Sequence, residues 1–142
     1  MTLSIGSDHA GYEMKEAIKK YLQSKGINLT DHGTYSIEST DYPDYAHKVA
    51  SDISNKNADM GILLCGSANG VCITANKHAG VRAALCWNNE IAMLARQHND
   101  ANILCIPARF IDSAAAFQMV DTFLKTEFEG GRHQKRVDKI NK

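Results

Sequence analysis

The 142-residue sequence has two prolines and one tryptophan, and its 16 basic residues are matched by 16 acidic ones. With no excess of either sign there is no global field to favour nucleic acid or an anionic membrane surface, so an anionic ligand must be held by a local site. No apolar run approaches the roughly 18–20 residues that span a bilayer. The opening Met1-Thr2-Leu3-Ser4-Ile5 lacks the charged start and long apolar stretch of a signal peptide, so a cytoplasmic protein is expected. The four cysteines, Cys65, Cys72, Cys86 and Cys105, sit in or beside apolar runs without a CxxC pair, which argues against a disulfide framework or a cysteine zinc site. Cys72, Cys86 and Cys105 read as small core residues.

The length suits one sizeable core, hence a single domain over residues 1–142. Short apolar runs at Leu3–Ile5, Ile27–Leu29, Met60–Leu64, Ala83–Cys86 and Ile103–Ile106 predict five strands. Helical spacing lies between them. Met14, Ala17, Ile18, Tyr21 and Leu22 form one stripe, ended by Gly26 as a left-handed cap. Ala46, Val49, Ala50 and Ile53 form a second, and Ile91, Ala92, Leu94 and Ala95 a third. Asp112 or Ser113 can cap a helix that buries Ala116, Met119, Val120 and Phe123. Strict strand–helix alternation implies right-handed crossovers and a Rossmann-like α/β three-layer sandwich, a five-stranded parallel sheet with helices on both faces.

In such sheets ligands bind beyond the carboxyl ends of the strands, which directs attention to three segments. Gly6-Ser7-Asp8-His9-Ala10-Gly11 follows the first strand, Cys65-Gly66-Ser67-Ala68-Asn69-Gly70 the third, and Trp87-Asn88-Asn89 the fourth. Backbone N–H groups and the positive end of a helix favour a thiolate, so Cys65 is placed to act as a base. The small residues Gly66 to Gly70 can aim backbone donors at an oxygen that becomes negative, as an enediolate requires. The bland alternative is a buried cysteine before a tight turn. Gly6-x-x-x-x-Gly11 lacks both the GxGxxG spacing and the Gly-Lys-Ser/Thr ending of a phosphate loop. Asp8 can instead hold sugar hydroxyls and His9 can meet a phosphate. His98, in Arg96-Gln97-His98-Asn99-Asp100, suits proton transfer near neutrality, since imidazole titrates at about 6.5. Arg132 and Arg136 share one face if helical and could clamp a phosphate, though such pairs usually face water. The charged tail 129–142, with Gly130-Gly131, would otherwise read as a frayed end.

Together, Gly6-Ser7-Asp8-His9-Ala10-Gly11, Asp41-Tyr42-Pro43-Asp44-Tyr45, Cys65-Gly66-Ser67, Ala75-Asn76-Lys77, Arg82-Ala83-Ala84 and Arg96-Gln97-His98-Asn99-Asp100-Ala101-Asn102 closely resemble the type B ribose-5-phosphate isomerases over nearly the whole chain. The resemblance implies an aldose–ketose isomerase that interconverts ribose 5-phosphate and ribulose 5-phosphate in the pentose phosphate pathway. It implies Cys65 as the base between C1 and C2, Gly66, Ser67, Ala68, Asn69 and Gly70 as the anion hole, and His98 as the ring-opening acid with Asp8 as helper. Asn99, Arg109 and Tyr42 resemble substrate contacts, and His9, Arg132 and Arg136 a phosphate site. Family members are homodimers or dimers of dimers whose active sites draw on both subunits. Ala68 departs from the pattern where glycine is frequent, as does Pro107-Ala108 before Arg109, and substrate choice is what this touches.

The nearest rival is an isomerase of allose or galactose 6-phosphate on the same scaffold; Cys65 favours the pentose enzyme over the galactose one. A non-catalytic nucleotide or flavin-binding module would want aromatic flanking, and Trp87 is the only tryptophan. A thiol redox sensor lacks a resolving-cysteine motif. No cofactor is expected, and no metal either, for want of an evident carboxylate cluster.

Overall fold

The computed structural model describes residues 1–141. Five strands, β1 (Leu3–Ser7), β2 (Leu29–Asp31), β3 (Met60–Cys65), β4 (Ala83–Leu85) and β5 (Ile103–Pro107), form one wholly parallel sheet in the order β2-β1-β3-β5-β4. The helices are α1 (Tyr12–Ser24), α2 (Tyr42–Ser54), α3 (Asn69–Ala75), α4 (Asn89–Asn99), α5 (Ser113–Lys125) and α6 (Gln134–Lys139). Short 3₁₀ turns, His9–Gly11 and Gly131–His133, precede α1 and α6. Among the described residues, no helix is long and apolar enough to cross a membrane.

Side chains that alternate along each strand enter two separate cores. Ile62 and Leu64 of β3, with Leu104 and Ile106 of β5, meet Ile18 and Leu22 of α1, Ala92 and Ala95 of α4, and Ala116, Met119, Val120 and Phe123 of α5. Leu63 and Cys65, with Ile103 and Cys105, meet Ala46, Val49, Ala50 and Ile53 of α2 and Val71 and Ala75 of α3. The expected three-layer sandwich is therefore present, with α1, α4 and α5 on one face and α2 and α3 on the other.

Local signals act where expected. Gly26 takes φ +78° after α1, and the Ile27 amide closes back on the Leu22 carbonyl at 3.0 Å, a left-handed helix stop. Asp112 caps α5 by accepting from the Ala115 amide at 2.8 Å. One expectation needs correction: the second strand is Leu29–Asp31 rather than Ile27–Leu29, because Ile27 is spent on the helix stop and packs against the core. The tail packs onto the domain: Val137 is buried in α6, and the Glu129 amide donates to the Gln97 carbonyl at 3.1 Å, which fastens the tail to the end of α4.

Candidate active site

The chain runs from β1 outward to β2 and then crosses back to β3, so strand order reverses between β1 and β3. The loops after these two strands splay apart there and leave a crevice. Asp8 and His9 come from one loop and Cys65 to Gly70 from the other. They are held together by backbone: the Asp8 amide donates to the Leu64 carbonyl at 3.3 Å, and Asp8 Oδ1 accepts from the Ala10 and Gly11 amides at 3.0 and 3.2 Å. His9 Nδ1 accepts from the Thr40 amide at 3.1 Å, which orients its ring.

Cys65 ends β3 opposite Pro107 and is only 5% exposed. The amides of Ala108 and Arg109 donate to the carbonyls of Cys65 and Gly66 at 3.0 and 3.1 Å, so the loop after β5 is clipped to the thiol loop. A Cβ on Gly66 would come within 3.1 Å of Arg109 Nη1, which puts the guanidinium over the loop. Ser67 and Asn69 are exposed, and Ser67 Oγ accepts from the Asn69 amide and side chain, each at 3.3 Å. Ala68 turns the loop into α3 with φ +64°, a left-handed conformation that costs a residue with a Cβ roughly 1 kcal/mol. Its methyl has no exposed surface and belongs to the apolar cluster with Val71 and Ala75, so it does not narrow the crevice. Tyr42, at the start of α2, lies against Gly70. Cys65, Gly66, Ser67, Ala68, Asn69, Gly70, Asp8, His9, Tyr42 and Arg109 thus share the carboxyl edge of the sheet.

The other expected site residues lie at the opposite edge. α4 runs back from the carboxyl end of β4, so His98 and Asn99 come at its far end, just before Asn102, whose carbonyl accepts from the Gly61 amide at 2.9 Å. β5, with its rise of about 3.3 Å per residue, separates this edge from Cys65 by roughly 13–17 Å. The tail carries Arg132 and Arg136 to the same edge as His98, away from His9. Within one chain, therefore, neither the pair Cys65–His98 nor the set His9–Arg132–Arg136 is assembled. Among the described residues, one cavity of about 700 Å³ is lined by residues such as Lys25, Asp121 and Lys125, and another of about 380 Å³ by residues such as Arg82, Asn99 and Ile140. Neither is lined by Cys65.

His98 has neighbours that the sequence did not single out. Its ring stacks on that of His133, with centroids 4.2 Å apart and planes 14° apart, and Glu129 Oε1 lies 3.7 Å from His98 Nε2 and 3.6 Å from His133 Nε2. Burial, then the nearby His98 and Arg132, hold the His133 imidazole below its usual titration range. Three side chains of metal-ligating type thus lie together here, with their donor atoms within 4.8 Å of one another. Their four-residue spacing, Glu129 to His133, was the available signal.

Burial pushes the Cys86 thiol up to about 12, and burial and Cys72 push Cys105 well above its ordinary value. Cys72 is lowered, chiefly by a hydrogen bond with Cys105, yet it is half-buried under β4 with its thiol donating to the Ala83 carbonyl at 3.4 Å.

Fold and site together define a doubly wound α/β protein with one exposed-edge thiol loop at the switch point, a class built to hold a small polar ligand. The chain belongs to the ribose/galactose isomerase family, whose sequence model matches residues 3–140. It is 44% identical over 138 residues to ribose-5-phosphate isomerase B of Escherichia coli K12, covering 97% of this chain and 93% of that one. A crystal structure of a ribose 5-phosphate isomerase from Thermotoga maritima superposes with a TM-score of 0.96 at 56% identity, covering 98% of this chain and 96% of that one. Ribose-5-phosphate isomerase B from Mycoplasma genitalium, solved with bound ribulose-5-phosphate, superposes with a TM-score of 0.94 at 46% identity, covering 98% and 93%.

Proposed function

We propose that this chain interconverts ribose 5-phosphate and ribulose 5-phosphate in the pentose phosphate pathway, with Cys65 as the base and with each site completed by a second copy of the chain. The observation that carries the reading is the position of Cys65, alone among the cysteines at the crevice where strand order reverses and followed by a loop of small residues. The relatives named above supply the substrate.

The chemistry follows from the groups present. The Cys65 thiolate takes the proton from C2 of the open-chain aldose while the C1 carbonyl oxygen becomes negative. Amides of the Gly66–Gly70 loop, with Ser67, stabilise that oxygen in the enediolate. The thiol then returns its proton to C1 as the double bond to oxygen re-forms at C2, and a proton moves from O2 to O1. No electron is gained or lost overall, and no metal or cofactor is called for. Asp8 serves to hold sugar hydroxyls and assists ring opening, Tyr42 covers the crevice, and Asn99, at the opposite edge with His98, would hold a hydroxyl only from a second copy of the chain.

Ring opening requires an acid–base group, and His98 is that group only if another chain brings it to Cys65. Arg132 and Arg136 would arrive with it, facing His9 and Arg109 around the phosphate. A two-fold dimer satisfies this arithmetic, since an isologous contact that sets edge against edge once does so twice. Tyr42, Ile73, Trp87 and Phe110, exposed by 40%, 62%, 54% and 74%, supply apolar surface for such an interface. A dimer of dimers is compatible with the same contact.

Mixing inactive subunits tests the whole reading. On ribose 5-phosphate Cys65→Ala is expected to be inactive and His98→Asn to keep about 1% of wild-type activity or less. Unfolded together and refolded, they form hybrids in which one site has both wild-type groups, so about one quarter of wild-type activity returns on random pairing. Absence of any recovery, with hybrids shown to form, would place both groups in one chain and refute the shared site. Preference for allose or galactose 6-phosphate in a substrate panel would instead move the assignment to a six-carbon isomerase.

A further inference from the structure

We infer that the backbone amide of Thr40 is a positioning group that fixes His9 in a single tautomer, bare at Nδ1 and protonated at Nε2, so that His9 meets the substrate's phosphate as an uncharged N–H donor; the phosphate contact rests on the role proposed for His9. A backbone N–H can only donate. The Thr40 amide stands 3.1 Å from His9 Nδ1, within the ordinary range of such a bond, so Nδ1 must offer a lone pair. In a neutral imidazole the proton then sits on Nε2. A ring turned over would set a C–H against the amide and leave that donor unpaired. A second ring proton would have to enter at Nδ1, where the Thr40 hydrogen already points.

The amide is held from both sides. After β2 the chain clasps the end of β1: the His32 amide donates to the Ile5 carbonyl at 3.0 Å, the Ser7 amide to the Gly33 carbonyl at 2.8 Å and the Thr34 amide to the Ser7 carbonyl at 2.7 Å. On the other side Asp41 leads directly into α2, which is anchored by the buried Ala46, Val49 and Ala50. His9 itself opens the 3₁₀ turn whose Ala10 and Gly11 amides Asp8 gathers. Among the described residues the buried Thr40 hydroxyl has no hydrogen-bond partner, so the hold on His9 is the amide's. Charge for the phosphate is left to Arg109 and, from a second copy, to Arg132 and Arg136. His9 supplies direction instead, since a ring locked as a neutral donor recognises an oxygen at one fixed place. Thr40, Asp41 and Tyr42 are consecutive, which ties that place to the tyrosine beside the thiol loop.

The test is long-range proton–nitrogen correlation spectroscopy of the full-length protein with its histidine rings labelled in nitrogen, His9 being assigned by the signals missing from His9→Gln. At pH 8 the wild-type His9 ring should show an unprotonated Nδ1 and a protonated Nε2, with no averaging between tautomers. Thr40→Val should keep that pattern, and Thr40→Pro, which removes the donor hydrogen, should release the ring into a mixture. Ribose 5-phosphate added to Cys65→Ala should shift the Nε2 signals and leave Nδ1 bare, whereas ribose at the same concentration should shift neither. In turnover, His9→Asn keeps an acceptor for the Thr40 amide but loses the far donor, while His9→Gln keeps a donor at the position of Nε2. KM for ribose 5-phosphate should rise about tenfold or more in the first and about threefold in the second, with kcat within about twofold in both, as loss of uniform binding requires. A protonated Nδ1 or a mixture of tautomers in the wild type overturns the hold assigned to Thr40, whether or not Thr40→Pro folds. A bare Nδ1 with ribose 5-phosphate bound and the His9 signals unmoved overturns the phosphate contact and leaves the hold of Thr40 on the ring standing.

Discussion

The ring of Tyr42 lies flat against Gly70, so close that a Cβ at residue 70 would stand 2.7 Å from its Cδ1. α2 begins and α3 leads away from the thiol loop at this one contact, so the phenol wall of the crevice depends on a missing side chain. Gly70→Ala must swing Tyr42 outward. Tyr42 is 40% exposed within one chain, so its displacement leaves both cores intact and the variant should fold, with dimerisation measured alongside because Tyr42 also lies on the proposed interface. kcat/KM for ribose 5-phosphate should fall about tenfold, equivalent to ~1.4 kcal/mol. Unchanged kinetics would remove Tyr42 from the site.

Cys65→Ala should abolish exchange of the C2 proton of ribose 5-phosphate with solvent while phosphate-dependent binding persists. Isotope exchange and calorimetry separate the two. Normal exchange in this variant would assign the base elsewhere, with Asp8 the nearest candidate at the same edge.

His98 is tested by a substrate that needs no ring opening. Erythrose 4-phosphate carries phosphate on the oxygen that would close a furanose, so it presents an open aldehyde. His98→Asn should lower kcat/KM for ribose 5-phosphate by about 10² to 10⁴-fold, the contribution of one positioned acid–base group. The loss on the four-carbon aldose should be slight. Equal losses would place His98 in binding or isomerisation.

At the carboxyl end of β2, Lys15 has no exposed surface and its Nζ contacts Glu16 and Asp31 at 2.7 and 2.8 Å, with Lys19 reaching Asp31 at 2.6 Å. Burial opposes the charge on Asp31, but hydrogen bonds from Lys15 and Lys19 outweigh it and hold the carboxyl below its ordinary 3.8. A depressed carboxylate contributes stability that is present above its unfolded value and lost as pH falls through the folded one. Asp31→Asn should therefore cost about 2 kcal/mol or more at pH 7, because it strands a buried ammonium. It should also flatten the loss of stability below pH 4, measured by urea unfolding. A variant as stable as wild type at neutral pH would show that Glu16 alone satisfies Lys15.

Much of this architecture was legible because its signals are local. Apolar runs and 3.6-residue stripes reflect which side chains a strand or helix buries, and capping by Asp112 or arrest at Gly26 involves groups a few residues apart. The thiol loop was legible for the same reason, since Cys65 and Gly70 are neighbours in the chain. Edge strand β2 was placed two residues early because a three-residue strand at a sheet margin has little pattern of its own.

What the sequence determined, then, was the alternation of elements, the faces they bury and the identity of the loops that follow β1 and β3. It did not contain the order β2-β1-β3-β5-β4, which depends on how crossovers pack once the sheet exists. Nor did it reveal that α4 returns His98 to the edge remote from Cys65, or that a glycine turn folds Glu129 and His133 onto that histidine. These relations join residues distant along the chain, through backbone hydrogen bonds and burial that arise only when the layers close. Residue type and spacing named the chemical groups, and tertiary packing decided which of them could meet within a single chain.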